Sequence, residues 1–294
     1  MTTITVIGPG AIGASLAACL TETGRPVTLC GRTRRHEIEV RSDDEGSTVI
    51  PGVVHTDPSA VDGPVDVILL AVKGTQVAAT RPWLATLAGP STVICVLQNG
   101  VEQREMVCPH VDSSAVVPAI VWFPAEMQQG GWVRLRGRPR LELPQSAEAQ
   151  TVADIFRGTT CTVELSSDFV TSAWHKLLVN AVAGLMVLTG RHVGMYRRAD
   201  IADLAEAYLR ECLTVARAEG AHLPDHLPGQ IVAEFQAYPE DLGSSILADR
   251  VAGRPLEWDI RNGVIIRRAR HHGIATPISD LLMPLLAASS EGPG

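Results

Sequence analysis

Thr3-Ile4-Thr5-Val6-Ile7-Gly8-Pro9-Gly10-Ala11-Ile12-Gly13-Ala14 decides the fold. A short β-branched run leads into Gly-x-Gly-x-x-Gly, and apolar residues at helical spacing follow through Leu16, Ala17 and Leu20. A strand, then these glycines, then a helix is the context a dinucleotide-binding fingerprint requires. Gly8 permits the tight turn, Gly10 lets the backbone approach a pyrophosphate, and Gly13 lets the helix pack closely on the strand. The phosphates then meet unpaired N–H groups and the positive end of the helix dipole. Pro9, Ala11 and Ile12 complete the loop that faces the cofactor.

The next strand reads Pro26-Val27-Thr28-Leu29-Cys30-Gly31-Arg32. Strands that bind NAD end near an acidic residue, which takes the ribose 2′-OH. Here the strand ends in Gly31-Arg32, with Arg34 and Arg35 close by. The planar fork of a guanidinium pairs with phosphate oxygens, so Arg32 suits a 2′-phosphate and the cofactor reads as NADP(H). The alternative is that Arg32 to Arg35 form a solvated turn, a reading that suits Arg34 and Arg35 better than Arg32.

Alternating elements continue to about residue 165. Val65 to Val72 and Ser91 to Leu97 are nearly continuous apolar runs, the pattern of strands buried on both faces. A crossover helix interrupted by Pro82 fits 76–87, a further helix fits 146–157, and short strands fit 115–123, 132–136, 140–143 and 160–165. After Ser166-Ser167-Asp168 the texture changes to helical periodicity, with Asp168 a credible N-cap. Helices are predicted at 168–188, 199–219, 229–237, 244–252, 256–272 and 277–288, with breaks at Gly190, Gly220, Pro239, Gly253-Arg254-Pro255 and Gly273. The expected architecture is an α/β, Rossmann-type doubly wound domain over 1–166, followed by an all-α domain over 167–294. The end, 289–294, reads as frayed.

Composition narrows the function. The 294 residues are 46% hydrophobic and 19% charged, enough for a packed core. A net charge of −7 argues against nucleic acid or an anionic membrane as partner. There is no run of 18 or more apolar residues and no leader pattern. The six cysteines form no C-x-x-C pair and read as reduced thiols of a cytoplasmic protein. His222 and His226 are separated by Pro224, and His271-His272 sits near a helix end as a solvated dipole partner, so no metal site is expected.

Several polar residues stand where a ligand is expected. Lys73 and Asn99 each follow a buried strand on the edge that carries the glycine loop, and each also reads as an ordinary loop residue. Lys176 and Asn180 lie four apart, on one face beside the stripe Leu177, Leu178, Ala181, Val182 and Leu185. A lysine in a partly dry cleft has a lowered pKa and donates a proton near neutral pH; the alternative is a pair of solvated side chains. Ser244-Ser245 opens a helix and Glu257 lies in the first turn of the next. A cap and a dipole partner explain those positions as well as ligand contact does.

Taken together, these residues resemble the ketopantoate reductase (2-dehydropantoate 2-reductase) family. The resemblance runs from Gly8-x-Gly10-Ala11-x-Gly13 through Val72-Lys73, Gln98-Asn99-Gly100 and Trp174-x-Lys176-Leu177-x-x-Asn180. It continues through Ser244-Ser245-x-Leu247-x-Asp249, Gly253-Arg254-Pro255-x-Glu257-x-Asp259, Asn262-Gly263 and His272-Gly273-Ile274-Ala275-Thr276-Pro277. It implies NADPH-dependent reduction of a 2-oxo acid to a 2-hydroxy acid, first of all ketopantoate to pantoate, a step of pantothenate biosynthesis. By the resemblance Lys176 is the general acid. Asn99 and Asn180 hold the substrate, with Asn99 also on the cofactor side. Ser245 lies near the substrate carboxylate, and Glu257 orients the site on the cofactor side. Arg32 and Lys73 favour the 2′-phosphate, and nicotinamide and substrate meet in a cleft between the domains. An apolar helical domain is compatible with a homodimer.

Two positions depart from the family. A second Asn one turn after Asn180 is expected, and here the residue is Gly184. Either another group replaces it or the pocket is larger and takes a different, bulkier 2-oxo acid. Trp258 is bulkier than the aliphatic residue expected beside Glu257. A third reading, from outside enzymology, is a non-catalytic NADP(H)-binding sensor whose helical domain binds a partner.

Overall fold

A computed structural model describes residues 2–112 and 114–290. The chain divides into two compact units: Met1–Asn99 with Gln103–Phe169, and Gly100–Glu102 with Val170–Gly294.

The first unit runs β1 (Ile4–Ile7), α1 (Ala11–Glu22), β2 (Val27–Cys30), β3 (Glu37–Ser42), β4 (Gly46–Pro51), β5 (Val54–His55), β6 (Val67–Leu70), α2 (Arg81–Leu87), β7 (Val93–Val96) and α3 (Gln103–Val107). It continues β8 (Ala115–Pro118), β9 (Ile120–Val121), β10 (Ala125–Met127), β11 (Val133–Leu135), β12 (Arg140–Pro144), α4 (Ala147–Ile155) and β13 (Thr162–Ser166). A six-stranded sheet in the order β5-β2-β1-β6-β7-β8 is parallel throughout. Successive side chains point to opposite faces. Val6, Leu69 and Cys95 therefore enter one core with α1, while Ile7, Leu70 and Val96 enter another with Trp83, Leu84 and Leu87 of α2. Both faces being covered explains the continuous apolar runs.

The remaining strands form two small sheets, β10-β11-β3-β4 and β13-β12-β9. The antiparallel β3–β4 hairpin has no counterpart among the predicted strands. The run predicted over 115–123 is divided: β8 joins the parallel sheet and β9 the three-stranded one. Pro82 does not interrupt a helix. It sits in the first turn of α2, where its missing N–H has no role, and a 3-10 stretch, Gly74–Thr80, precedes it. Ser146 caps α4 by accepting from the Ala149 N–H.

The second unit holds α5 (Phe169–Val182), α6 (Gly184–Thr189), α7 (Ala199–Ala218), α8 (Leu227–Ala237), α9 (Ser245–Val251), α10 (Val264–His272) and α11 (Pro277–Ser290). The helix predicted over 168–188 breaks at Ala183, where the Val182 carbonyl accepts from the Tyr196 hydroxyl at 2.7 Å. Trp174, Leu177, Leu178 and Ala181 of α5 pack in one core with Tyr208, Leu209 and Cys212 of α7 and Val264, Ile265 and Ala269 of α10. Residues 169–189 are the one stretch of the described chain long and apolar enough to cross a membrane, and 67% of its most apolar window is buried in this core. The helix predicted over 256–272 opens instead as a π-helical segment, Asp259–Gly263. Such segments are frequent at functional sites. Helix α11 continues through Ser290, so Ser289 and Ser290 are helical rather than frayed; the expectation for 291–294 lies outside the described residues.

Candidate active site

In the parallel sheet Ile7 pairs with both Cys30 and Leu70, and Leu70 with Val96. The carboxyl ends of β1, β2, β6 and β7 are therefore level. Open α/β sheets bind ligands outside those ends. The glycine loop, Arg32, Lys73 and Asn99 each follow one of the four strands.

The three glycines have distinct surroundings. Gly8 has φ +89°, and a Cβ there would lie 2.7 Å from Val72 Cγ1 and 2.8 Å from the Val72 nitrogen. A Cβ on Gly13 would lie 2.5 Å from the Gly8 carbonyl oxygen. A Cβ on Gly10 would meet nothing within 4 Å. The loop is thus closed against its own chain at Gly8 and Gly13 and open at Gly10, which is the N-cap of α1 and carries no capping side chain. An open cradle at a helix N-terminus fits a pyrophosphate.

Arg32 and Arg34 are exposed beyond β2. Arg35 is not a solvated turn residue: its Nη1 donates to the Gly131 carbonyl at 2.6 Å and ties the loop to the small sheet. Lys73 is half-buried at the start of the 3-10 stretch, and Asn99 is half-buried after β7. Between them works a residue the sequence reading gave no role. Gln98 is 4% exposed, and its Nε2 donates to the carbonyls of Leu70 and Val72 at 3.1 and 2.8 Å. It clamps the end of β6 to the loop that carries Asn99.

In the second unit, Lys176 and Asn180 are half-buried on one face of α5, beside the buried stripe. One turn later Gly184 is buried, and it leaves no hole. A Cβ there would meet the Asn262 carboxamide at 3.1 Å and Leu286 Cδ1 at 3.3 Å. The Asn262 Nδ2 donates to the Ala181 carbonyl at 2.9 Å and the Tyr208 hydroxyl at 3.0 Å, while its Oδ1 is buried without a partner. An amide from another helix thus fills the space that the missing side chain leaves. Trp258 packs against Val187, Ile246, Leu256 and Leu286, which accounts for its bulk.

Ser244 and Ser245 divide their work. Ser244 caps α9, accepting from the Leu247 N–H at 3.3 Å. Ser245 is exposed and accepts from Arg261 Nη2 at 2.8 Å. Glu257 is not a solvated dipole partner in a first helical turn. It precedes the π-helical segment, is 3% exposed, and lies 3.8 Å from Arg261 Nη2. Burial pushes the Arg261 pKa down, and the negative charges of Glu257 and Asp249 oppose that shift. Asp249, also buried, accepts from Arg254 at 2.9 Å. Arg261 interrupts an apolar helical face at Val264, Ile265 and Ala269; that interruption was the available sequence signal. His272 is not a free dipole partner, since its Nε2 lies 2.6 Å from Glu219. Burial holds the Cys30 and Cys95 thiols up at about 12, so these cysteines are inert at neutral pH.

A doubly wound α/β unit with a glycine-rich loop, followed by an all-helical unit carrying a half-buried lysine and a serine–arginine pair, defines a class of two-part oxidoreductases. The chain belongs to the ketopantoate reductase family. The family model described as ketopantoate reductase PanE/ApbA matches residues 4–148, and its C-terminal counterpart matches 168–290. A 2-dehydropantoate 2-reductase of Mycobacterium tuberculosis is 57% identical over 293 residues, covering 100% of this chain and 99% of that protein. The corresponding protein of Caulobacter vibrioides is 37% identical over 291 residues, covering 99% of this chain and all (100%) of its own. A dimeric ketopantoate reductase from Staphylococcus aureus has a similar structure, with a TM-score of 0.90 and 29% identity over 99% of this chain and 100% of that one.

Proposed function

We propose that the chain reduces 2-dehydropantoate to pantoate with NADPH. The observation that carries this reading is the pair Lys176 and Asn180, half-buried one turn apart on α5, in a chain 57% identical along its length to a 2-dehydropantoate 2-reductase. NADPH, when bound, supplies the hydride to C2 of the oxo acid. As that carbon is reduced, the electron pair of the C=O bond moves to oxygen, and Lys176 Nζ donates the proton that neutralises it. A cation at that point is most useful as the oxygen becomes negative, so it stabilises the transition state more than the substrate. Asn180 and Asn99 hold the substrate's oxygens, Ser245 faces its carboxylate, and Glu257 orients the site. Residues 8–13 take the pyrophosphate, and Arg32 with Lys73 takes the 2′-phosphate. In this reading 1–166 is the nucleotide-binding domain and 167–294 the substrate and dimerisation domain. Leu281 and Leu285 of α11, 71% and 56% exposed and one turn apart, support a homodimer. Free cysteines, five of them buried, suit a cytoplasmic setting.

The test is NADPH oxidation with ketopantoate and a panel of 2-oxo acids of increasing bulk, with NADH as control. Ketopantoate is expected to be preferred, because the space over Gly184 is filled. Preference for a bulkier acid moves the substrate assignment, and no oxidation with any 2-oxo acid favours the sensor. For Arg32→Glu, the ratio of kcat/KM with NADPH to that with NADH is expected to fall by about 10- to 100-fold, the scale of a lost charge-assisted hydrogen bond. An unchanged ratio removes Arg32 from cofactor selection.

A further inference from the structure

Arg261 carries a positive charge into the interior, where it pairs with Glu257 at 3.8 Å but makes little use of its hydrogen-bond donors. A guanidinium presents five N–H donors and no acceptor. It is 2% exposed, yet it makes one hydrogen bond, to Ser245 Oγ at 2.8 Å. Its Nε is buried with no partner. The contact to Glu257 at 3.8 Å is longer than the 2.7–2.9 Å of a charge-assisted hydrogen bond. The other nearby carboxylate, Asp249, is already engaged by Arg254. Leaving buried donors of a charged group unmade is costly, so the arrangement calls for a reason beyond stability.

The geometry of Ser245 supplies one. Because Arg261 can only donate, Ser245 Oγ is fixed as the acceptor of that bond. The hydroxyl proton of Ser245 is then left to point elsewhere, and it has no acceptor among the described residues. Ser245 is exposed while the guanidinium behind it is buried. The result is an O–H donor left to an outside ligand, held by a buried guanidinium whose charge is met by Glu257 only at 3.8 Å and not by water. Resting on the 2-oxo acid reading above, we propose that Arg261 is a positioning residue: acting through Ser245, it makes that hydroxyl an anion subsite for the substrate carboxylate. The π-helical segment serves this arrangement, because it places Arg261 toward Ser245 and the neighbouring Asn262 toward Gly184.

The test compares a 2-oxo acid with its uncharged methyl ester in Arg261→Met, Arg261→Lys and Ser245→Ala enzymes, with thermal unfolding as a folding control. In Arg261→Met the KM for the acid is expected to rise by about 10- to 100-fold, with kcat within about 3-fold and the KM for the ester unchanged. Arg261→Lys recovers part of the loss. Ser245→Ala reproduces it, and adding Arg261→Met to Ser245→Ala has little further effect, because the two act as one unit. Acid and ester affected alike in a folded Arg261→Met enzyme overturn the proposal. Should Arg261→Met not fold, Ser245→Ala decides: its side chain is exposed, and an unchanged acid KM overturns the proposal. A wild-type enzyme inactive on every 2-oxo acid overturns the activity reading itself, a result distinct from an active wild type whose variants lack the acid-specific loss.

Discussion

Lys176→Ala is expected to lower kcat by at least about 100-fold while the protein stays folded. General acids contribute about 100- to 10,000-fold, and a lysine at a developing alkoxide adds electrostatic stabilisation to proton transfer. The substitution is well suited to a kinetic test. Lys176 lies on α5 outside the buried stripe, and alanine is the best helix former, so α5 keeps its propensity and its core contacts. Lys176→Arg separates the two parts of the role. It keeps the positive charge but does not release a proton near neutral pH. Arginine activity close to that of alanine assigns the effect to proton transfer, and activity close to wild type assigns it to charge. Stopped-flow measurement of NADPH oxidation reads the chemical step, and near-wild-type turnover in Lys176→Ala removes this residue from the mechanism.

What the sequence carried was what neighbours in sequence decide. The glycine loop was legible because its three constraints fall within residues 8–13, and β6 and β7 because burial on both faces leaves a run without polar residues. The helix ends at Gly190 and Gly273 were legible for a similar reason, since both residues close a helix in the left-handed conformation. The β3–β4 hairpin did show a period of two, with Ile38 and Val40 buried between Glu37, Glu39 and Arg41. Its charge density hid that alternation, because one face lies in solvent. Arg261 showed in the sequence only as a charge interrupting an apolar helical face, which marks a buried charge but not a site residue. Its meaning depends on Ser245, 16 residues away, and on a π-helical segment that no spacing rule announces. Gly184 shows the same limit from the other side: the sequence shows a missing side chain, and only the fold shows Asn262 in its place.

The glycine loop separates stability from binding, and three substitutions are expected to give three different results. Gly8→Ala is expected to destabilise the protein by about 2–5 kcal/mol. An L side chain at positive φ costs about 1–2 kcal/mol, and a Cβ forced against its neighbours adds about 1–3 kcal/mol. The neighbour here is the Val72 backbone nitrogen at 2.8 Å, which cannot swing aside as a side-chain tip can. Gly13→Ala is expected to destabilise through contact alone, since its Cβ would sit 2.5 Å from the Gly8 carbonyl and force α1 away from β1. Gly10→Ala is expected to leave the unfolding temperature within about 2 °C of wild type, because its Cβ meets no other atom of the chain, a surface-like change of small ΔΔG. Its effect belongs to the ligand. A methyl group in the open cradle stands where a pyrophosphate approaches the N-terminus of α1, so NADPH affinity is expected to fall by about 10-fold or more, roughly one lost charge-assisted hydrogen bond. Thermal unfolding and a fluorescence titration with NADPH measure the two quantities on the same samples. A Gly10→Ala protein that binds NADPH as tightly as wild type would place the pyrophosphate elsewhere than on this loop, whatever Gly8 and Gly13 do for the fold.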